Sequence, residues 1–419
     1  MPRGIPNVKR DDTQGMRYTS FHVPLQPNPK HMSTAYLKSE SQTLWARKTA
    51  RQKAAGEEFD VSSLLSRCRD HVLVVHLGSR YLRIGYAASR EPKVIPNVIA
   101  RRVAPPAPPP VFVEGIPRPH RGRPRPTPPP ANGDEYAVAS SLNDPFEEKL
   151  SVIQVSLRDR MRFYKLRVTP DAANKASAFN EQLKPEIIAE ENDPFQPDWI
   201  QHSDAPFHVG DDALRVADPE RLGYVLRWPI VGKRFNTRDY TSNQMIIDDV
   251  ETILRESLRT KLNITPAMYK EFSVVLVIPD FYEKSYVRDT VHLLLKTMGF
   301  KQLCAQQEAL AATYGAGLTT ACVVDIGATT ASVACVDEGM VIADTRMFLN
   351  MGGDYITEFL YVLLDRIGFP YRDINLARAY DWSVLEDLKA RLCTLAEGDV
   401  ALNLYDFVVR QPGKPAEKY

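Results

Sequence analysis

Two stretches of this chain repeat one design, and any fold must accommodate both. Val72-Leu-Val-Val-His-Leu-Gly-Ser79 leads into Tyr81-Leu-Arg-Ile-Gly-Tyr86, and Ala321-Cys-Val-Val-Asp-Ile326 leads through Gly327-Ala-Thr-Thr330 into Ala331-Ser-Val-Ala-Cys-Val-Asp337. Each is an apolar, β-branched run with a polar residue near its end, a glycine with small residues, and a returning apolar run. That order predicts a strand, a tight turn and a second strand. Small side chains leave the turn's backbone N–H groups accessible to an anion, and a carboxylate at the strand end, here Asp325, can hold a hydrated Mg2+ beside a phosphate. One such hairpin reads first as a solvated tip. Two of them on a helix-linked α/β chain predict a single nucleotide gripped between two lobes.

The text between the hairpins alternates strand and helix. Ser273-Val-Val-Leu-Val-Ile-Pro279 predicts a buried strand. Asp239–Asn263 predicts a long helix with Ile247, Val250, Leu254 and Leu258 on one face, and Ser285–Met298 a second, closed by Gly299 as a left-handed cap. Gln306–Tyr314 predicts a short helix, and Lys93–Ala100 a third strand beside the first hairpin. Beyond the second hairpin, Met340–Leu349 predicts a returning strand. Gly352-Gly353 then opens a helix whose stripe is Ile356, Phe359, Leu360, Leu363, Leu364 and Ile367, and Ser383–Cys393 makes a further helix.

These residues carry a resemblance. The hairpins resemble the phosphate loops of the actin, sugar-kinase and heat-shock-chaperone ATPase fold, and Val209-Gly-Asp-Asp-Ala213, Arg227-Trp-Pro-Ile230 and Thr313-Tyr-Gly-Ala-Gly317 stand in actin's order and spacing. Ile95-Pro-Asn-Val-Ile-Ala-Arg-Arg102, Gln307-Glu308 before Ala312-Thr-Tyr-Gly315, and Gly368-Phe-Pro-Tyr-Arg372 resemble more narrowly the actin-related subunits of the INO-eighty class of chromatin remodellers. The resemblance implies an α/β, actin-like (ribonuclease-H-like) fold whose first lobe carries large insertions and whose second lobe is incomplete. The expected division is an extended arm with a short helix over 1–70, the first phosphate hairpin over 71–103, and an insertion over 104–206. The remainder of lobe one follows over 207–317, and a partial lobe two over 318–419, where an adenosine loop is expected to be missing.

Carried onto this chain, the resemblance implies phosphate contacts from Gly78, Ser79, Asp325, Gly327, Thr329, Gly353 and Lys389, with ATP as the nucleotide and Mg2+ held by Asp325 through water. Glu308 stands where actin carries the glutamine that orients the attacking water. A glutamate there can act as general base, or it can be an ordinary helix-surface or N-cap residue. Two departures point away from catalysis. His76 replaces a carboxylate near the metal water, and a neutral imidazole cannot anchor hydrated Mg2+. Ala390, next to Lys389, replaces a glutamate that contacts the ribose. The implied role is therefore that of a non-motor scaffold, with nuclear actin, another actin-related protein and a helix of the remodeller's ATPase subunit as partners. Its expected work is to help engage linker DNA, histones and nucleosomes in transcription regulation and DNA repair. An ATP-binding protein with slow hydrolysis is the alternative, and an ATPase activity at most weak is expected.

Charge supports the nucleic-acid part. A net charge of +1 over 419 residues hides a segregation: residues 1–55 carry ten Lys and Arg against three acids, while residues 133–220 hold eighteen acids against nine bases. Within Ser41–Ala55, Arg47, Lys48, Arg51 and Lys53 predict a basic helix that crosses a phosphate backbone, or one that packs Trp45 on the folded body. Val103–Ala131, with twelve prolines, predicts a surface insertion near polyproline geometry whose arginines touch nucleic acid or keep it soluble. No run of about 18 apolar residues is present to cross a membrane, no apolar signal-peptide core precedes the first charges, and a nuclear protein is expected. The five cysteines, Cys68, Cys304, Cys322, Cys335 and Cys393, lack metal-ligand spacing and read as reduced, mostly packing thiols.

Overall fold

A computed structural model describes residues 71–113, 115, 145–163, 172–395 and 404–419. Arg47, Lys48, Arg51, Lys53, Trp45 and Cys68 lie outside the described residues. The chain divides into two compact units, of which one is made of 1–28, 117–175 and 394–404 and the other of the remainder. Within the first lies α1 (Pro145–Phe163). Helix α2 (Ala172–Gln182) begins there and ends in the second unit, to which every element below belongs.

The central sheet of the second unit is built on the first hairpin. Strands β1 (Val72–Leu77) and β2 (Tyr81–Tyr86) are antiparallel, and β3 (Lys93–Pro96) continues from β2. On the other side of β1, β10 (Ser273–Ile278) and β11 (Gln302–Gln307) add in parallel, giving the order β11-β10-β1-β2-β3. Every second residue of β1 and β10 is buried, so Leu73, Val75, Leu77, Val274, Leu276 and Ile278 share a core. Helix α3 (Asn243–Leu262) covers them with Ile246, Val250, Ile253, Leu254 and Leu258. Each such side chain contributes about 1.5–3 kcal/mol by leaving water. The helix is bounded as its sequence dictates: the Ser242 hydroxyl accepts from the Met245 N–H, and Asn263 turns left-handed at φ 57°. Ile247, expected on the core face, is only partly buried beside Ile246.

Two expectations around this sheet are corrected. Residues 93–100 are not one strand, because the chain leaves the sheet at Asn97. Its N–H donates to the Arg80 carbonyl and its Nδ2 to the Gly78 carbonyl at 2.7 Å, and β4 (Ile99–Arg102) then joins a separate sheet between β6 (Phe207–Val209) and β7 (Tyr224–Arg227). The helix read over 306–314 begins at Glu308 as α5 (Glu308–Ala316), because Gln302–Gln307 is strand β11. Its polar sequence hides the strand, which exists through pairing with β10 along one edge. Helix α4 (Lys284–His292) stands as read, ending in a wider turn over Leu293–Thr297 and the left-handed Gly299.

Lobe two is organised on the second hairpin, β12 (Ala321–Ile326) and β13 (Ala331–Asp337). The single strand expected over 340–349 is two, β14 (Met340–Val341) and β15 (Met347–Leu349), both paired with β13 and separated by a helical turn at Ala343–Thr345. Helix α6 (Gly353–Arg366) buries Thr357, Glu358, Tyr361 and Val362 and leaves Ile356 exposed, so the core face is rotated from the apolar stripe read in sequence. Helix α7 (Ala379–Leu392) starts a turn earlier than read. Its buried Asp381 accepts from the Tyr371 hydroxyl and from the Asn375 N–H, which fixes the entry of the chain. A second core forms from Tyr361, Phe369, Tyr371, Leu385, Leu388 and Val409. Strands β16 (Val408–Val409) and β17 (Ala416–Lys418) add to β5 (Glu186–Ile188) of the insertion.

The cysteines are the other correction. Cys304, Cys322 and Cys393 are exposed and Cys335 is partly so, all as free thiols. On β12 the alternation turns Cys322, Val324 and Ile326 outward, and none of the described residues covers them. No helix among the described residues is long and apolar enough to cross a membrane.

Candidate functional site

The two hairpin turns have the same internal wiring. The Gly78 N–H donates to the Tyr81 carbonyl at 3.0 Å, and the Gly327 N–H to the Thr330 carbonyl at 2.9 Å. Glycine is needed at Gly78 because a Cβ there would lie 2.6 Å from the Tyr81 oxygen. The tips meet: Ser79 Oγ is hydrogen-bonded to Thr329 Oγ1 at 3.2 Å. Among the described residues the amides of Ser79, Ala328 and Thr329 enter no backbone hydrogen bond, so this junction keeps donors suited to an anion.

A third turn closes on the same point. Strands β8 (Ile230–Val231) and β9 (Arg234–Phe235) are joined by Gly232 and Lys233, both left-handed, at φ 61° and 65°. The Gly232 N–H donates to Thr329 Oγ1 at 3.1 Å. Lys233 Nζ donates to Glu308 Oε2 at 2.6 Å, to Asp325 Oδ2 at 2.6 Å and to Ser332 Oγ at 3.1 Å. His76 Nε2 completes the cluster on Glu308 Oε1 at 3.0 Å. The Lys233 and Glu308 side chains are each 10% exposed and Asp325 38%. Burial pulls the Lys233 amine down, but Glu308 and Asp325 outweigh it and hold it above its ordinary value. Burial likewise works to raise Glu308, yet hydrogen bonds and charge from His76 and Lys233 hold it below the usual carboxylate range. Behind them burial raises Asp280, whose carboxylate accepts from the Ala309 N–H.

The remaining expected phosphate residues line the seam between β12–β13 and α6. A Cβ on Gly352 would lie 2.5 Å from the carbonyl oxygens of both Gly327 and Ala328. The Gly353 N–H donates to the Gly327 carbonyl at 2.9 Å and the Asp354 N–H to the Ala328 carbonyl at 2.7 Å. The first amides of α6 are therefore satisfied by the loop. Lys389 ties α7 to α6 through the Gly353 carbonyl at 3.2 Å and Thr357 Oγ1 at 2.7 Å, and pairs with Glu386 Oε1 of its own helix at 2.7 Å. Ser79, Thr329, Asp325 and Glu308 thus meet in one network, while Gly353 and Lys389 join it only through Gly327.

Sequence reasoning missed Lys233 and Arg80. The signal for Lys233 was a Gly-Lys pair between Ile230-Val231 and Arg234-Phe235, the composition of a two-residue turn that aims its second side chain. Arg80 follows Ser79 in the first tip. Its guanidinium lies 4.6 Å from the ring centroids of both Trp228 and Trp382, and its Nε donates to Asp354 Oδ2 at 2.8 Å. It links the first hairpin to both lobes.

The donor set separates phosphate from metal. Ser79, Thr329 and the tip amides fit an anion. A hydrated divalent cation does not fit: Asp325 and Glu308 share one ammonium, the third group is an imidazole, and no trio of His, Cys, Asp or Glu among the described residues is grouped for a metal.

Two facing hairpin turns over an α/β body define an actin-type ATPase fold. The family model described as actin matches residues 233–389. Actin-like protein ARP8 of Saccharomyces cerevisiae is 35% identical over 351 residues, which is 83% of this chain and 37% of the relative. Probable actin-related protein 8 of Schizosaccharomyces pombe is 31% identical, covering 96% of this chain and 63% of the relative, and human actin-related protein 8 is 30% identical, covering 83% and 53%. The solved structure of human actin-related protein Arp8 in its ATP-bound state superposes with a TM-score of 0.68 at 29% identity, over 87% of this chain and 69% of that one. The chain is an actin-related protein of the actin family, similar to actin-related protein 8. It spans between about a third and two thirds of the curated relatives' own lengths.

Proposed function

We propose that this chain is a non-motor, architectural actin-related subunit of a nuclear chromatin-remodelling complex of the INO-eighty class. It would bind ATP at the junction of the two hairpins and use it as a structural ligand. The observation that carries the non-motor reading is the Lys233 ammonium on both Glu308 and Asp325. A glutamate engaged on one oxygen by an ammonium and on the other by His76 is held as an ion-pair partner, with its basicity lowered for taking a proton from water. The ATP reading is supported by the hydroxyl and amide donors at the tips and by the ATP-bound state of the human relative. In this role the actin-like body assembles with nuclear actin, another actin-related protein and a helix of the remodeller's ATPase subunit. The basic segments 1–55 engage linker DNA beside histones, in transcription regulation and DNA repair.

Purified chain in a steady-state phosphate-release assay, with bound nucleotide extracted and identified, tests the reading. The expected result is co-purified or added ATP that persists without turnover, together with DNA binding. Turnover abolished by Asp325→Asn would replace this reading with that of a slow ATPase, which the ionised state of Glu308 favours.

A further inference from the structure

We propose that Lys233 is a tethered cation occupying the place of a divalent metal, so that phosphate binding at this junction is independent of Mg2+. The inference rests on the nucleotide reading above and specifies its chemistry. Three observations carry it. Lys233 sits at a left-handed backbone position, φ 65°, which residues bearing a Cβ rarely adopt, so its direction is imposed by the turn. All three ammonium protons are used, on Glu308, Asp325 and Ser332. The turn is bolted through Gly232 to the same Thr329 hydroxyl that meets Ser79, which places the charge where the two phosphate tips join.

Electrostatics decides between the two cations. A divalent ion beside Asp325 would face a fixed positive charge 2.6 Å from the carboxylate oxygen it needs. Like charges within about 4–5 Å repel by several kcal/mol at an effective dielectric near 20, more for a divalent ion. The ammonium, its three protons held by Glu308, Asp325 and Ser332, supplies instead a fixed positive charge that acts on phosphate oxygens through space, with no metal to dehydrate.

The test measures ATP binding to the full chain by calorimetry in EDTA and in Mg2+. In parallel it measures the unfolding midpoint with Mg2+ or Mn2+ alone. Wild-type protein is expected to bind ATP equally, within about twofold, in both buffers, and to show no shift with metal alone. Lys233→Ala is expected to lose about tenfold in affinity in EDTA and to gain a metal-induced rise in midpoint that Asp325→Asn removes. Wild-type affinity that falls about tenfold or more in EDTA overturns the proposal, as does a metal-induced rise in wild-type midpoint that Asp325→Asn abolishes. Should wild-type protein bind no ATP in either buffer, the nucleotide reading fails, and the metal-alone arm still decides on the cation. The wild-type arms stand even if Lys233→Ala does not fold.

Discussion

Ser79 and Thr329, 250 residues apart, share a hydroxyl hydrogen bond of 3.2 Å that joins the two hairpin tips. Two lobes with separate cores are brought to one point by this contact, by Lys233 and by Arg80. The tips were expected to face one another across a common gap. They do so closely enough for a pair of short side chains to touch.

Removing that contact is expected to cost little. Ser79→Ala and Thr329→Val should each destabilise by about 1 kcal/mol, with a coupling of roughly 0.5–1.5 kcal/mol in a double-mutant cycle read by urea unfolding. Additive effects would mean that the two hydroxyls do not sense one another in solution.

Lys233 is different because its removal strands two carboxylates. Lys233→Met should destabilise by about 3 kcal/mol, most of it from leaving Glu308 buried without its main partner, and adding Glu308→Gln should recover part of the loss. Thermal unfolding of the single and double variants checks this. Equal midpoints for wild type and Lys233→Met would remove the cluster from the account of stability.

The cluster also sets a pH window. Glu308 is depressed in the fold, so its contribution is present above its unfolded value near 4.3 and is lost as pH falls through the lower folded value. Lys233 is raised, so its contribution is full below about 10.4 and disappears as pH rises through the higher folded value. The midpoint against pH should be flat through neutrality and fall on both limbs. Glu308→Gln should flatten the acid limb, and an unaltered limb in that variant would assign acid lability to other carboxylates.

Two glycines give a contrast of sign. Gly352→Ala drives a Cβ to 2.5 Å from two backbone carbonyls at the seam of α6, and should cost more than about 2 kcal/mol. Gly315→Ala, inside α5 with nothing within 4 Å of the added carbon, should stabilise by roughly 0.5–1 kcal/mol. Chemical denaturation midpoints of the two variants would show whether the seam is as close as described.

Deleting residues 1–55 should weaken DNA binding and reduce the slope of affinity against salt, because ten cationic side chains leave with only three acids. Fluorescence anisotropy across a salt series measures it, and an unchanged slope would make the segment a solubilising tail.

How much of this was legible in the sequence follows from how local each feature is. The hairpins could be read because strand, glycine turn and return are adjacent in the chain, and α3 because its apolar residues recur on one face, although its start, read at Asp239, lies at Asn243 behind the Ser242 cap. Strand β11 could not, since Gln302, Gln306 and Gln307 carry no strand pattern and the strand is made by its neighbour. The split at Asn97 was equally hidden, depending on carbonyls of Gly78 and Arg80 in another element. Lys233 was missed for the same reason: its partners lie 75 and 92 residues away, and no local spacing announces them. Cys322 was misread as a packing thiol because an apolar run does not say which of its sides is covered, and here Cys322, Val324 and Ile326 face outward.

Arg80 lies between two indoles, one from each side of the molecule, with Asp354 at its edge. Any rotation of one lobe against the other must slide a guanidinium out from between Trp228 and Trp382. Because the chain holds only four tryptophans, its intrinsic emission carries a built-in optical gauge of how far the halves stand apart.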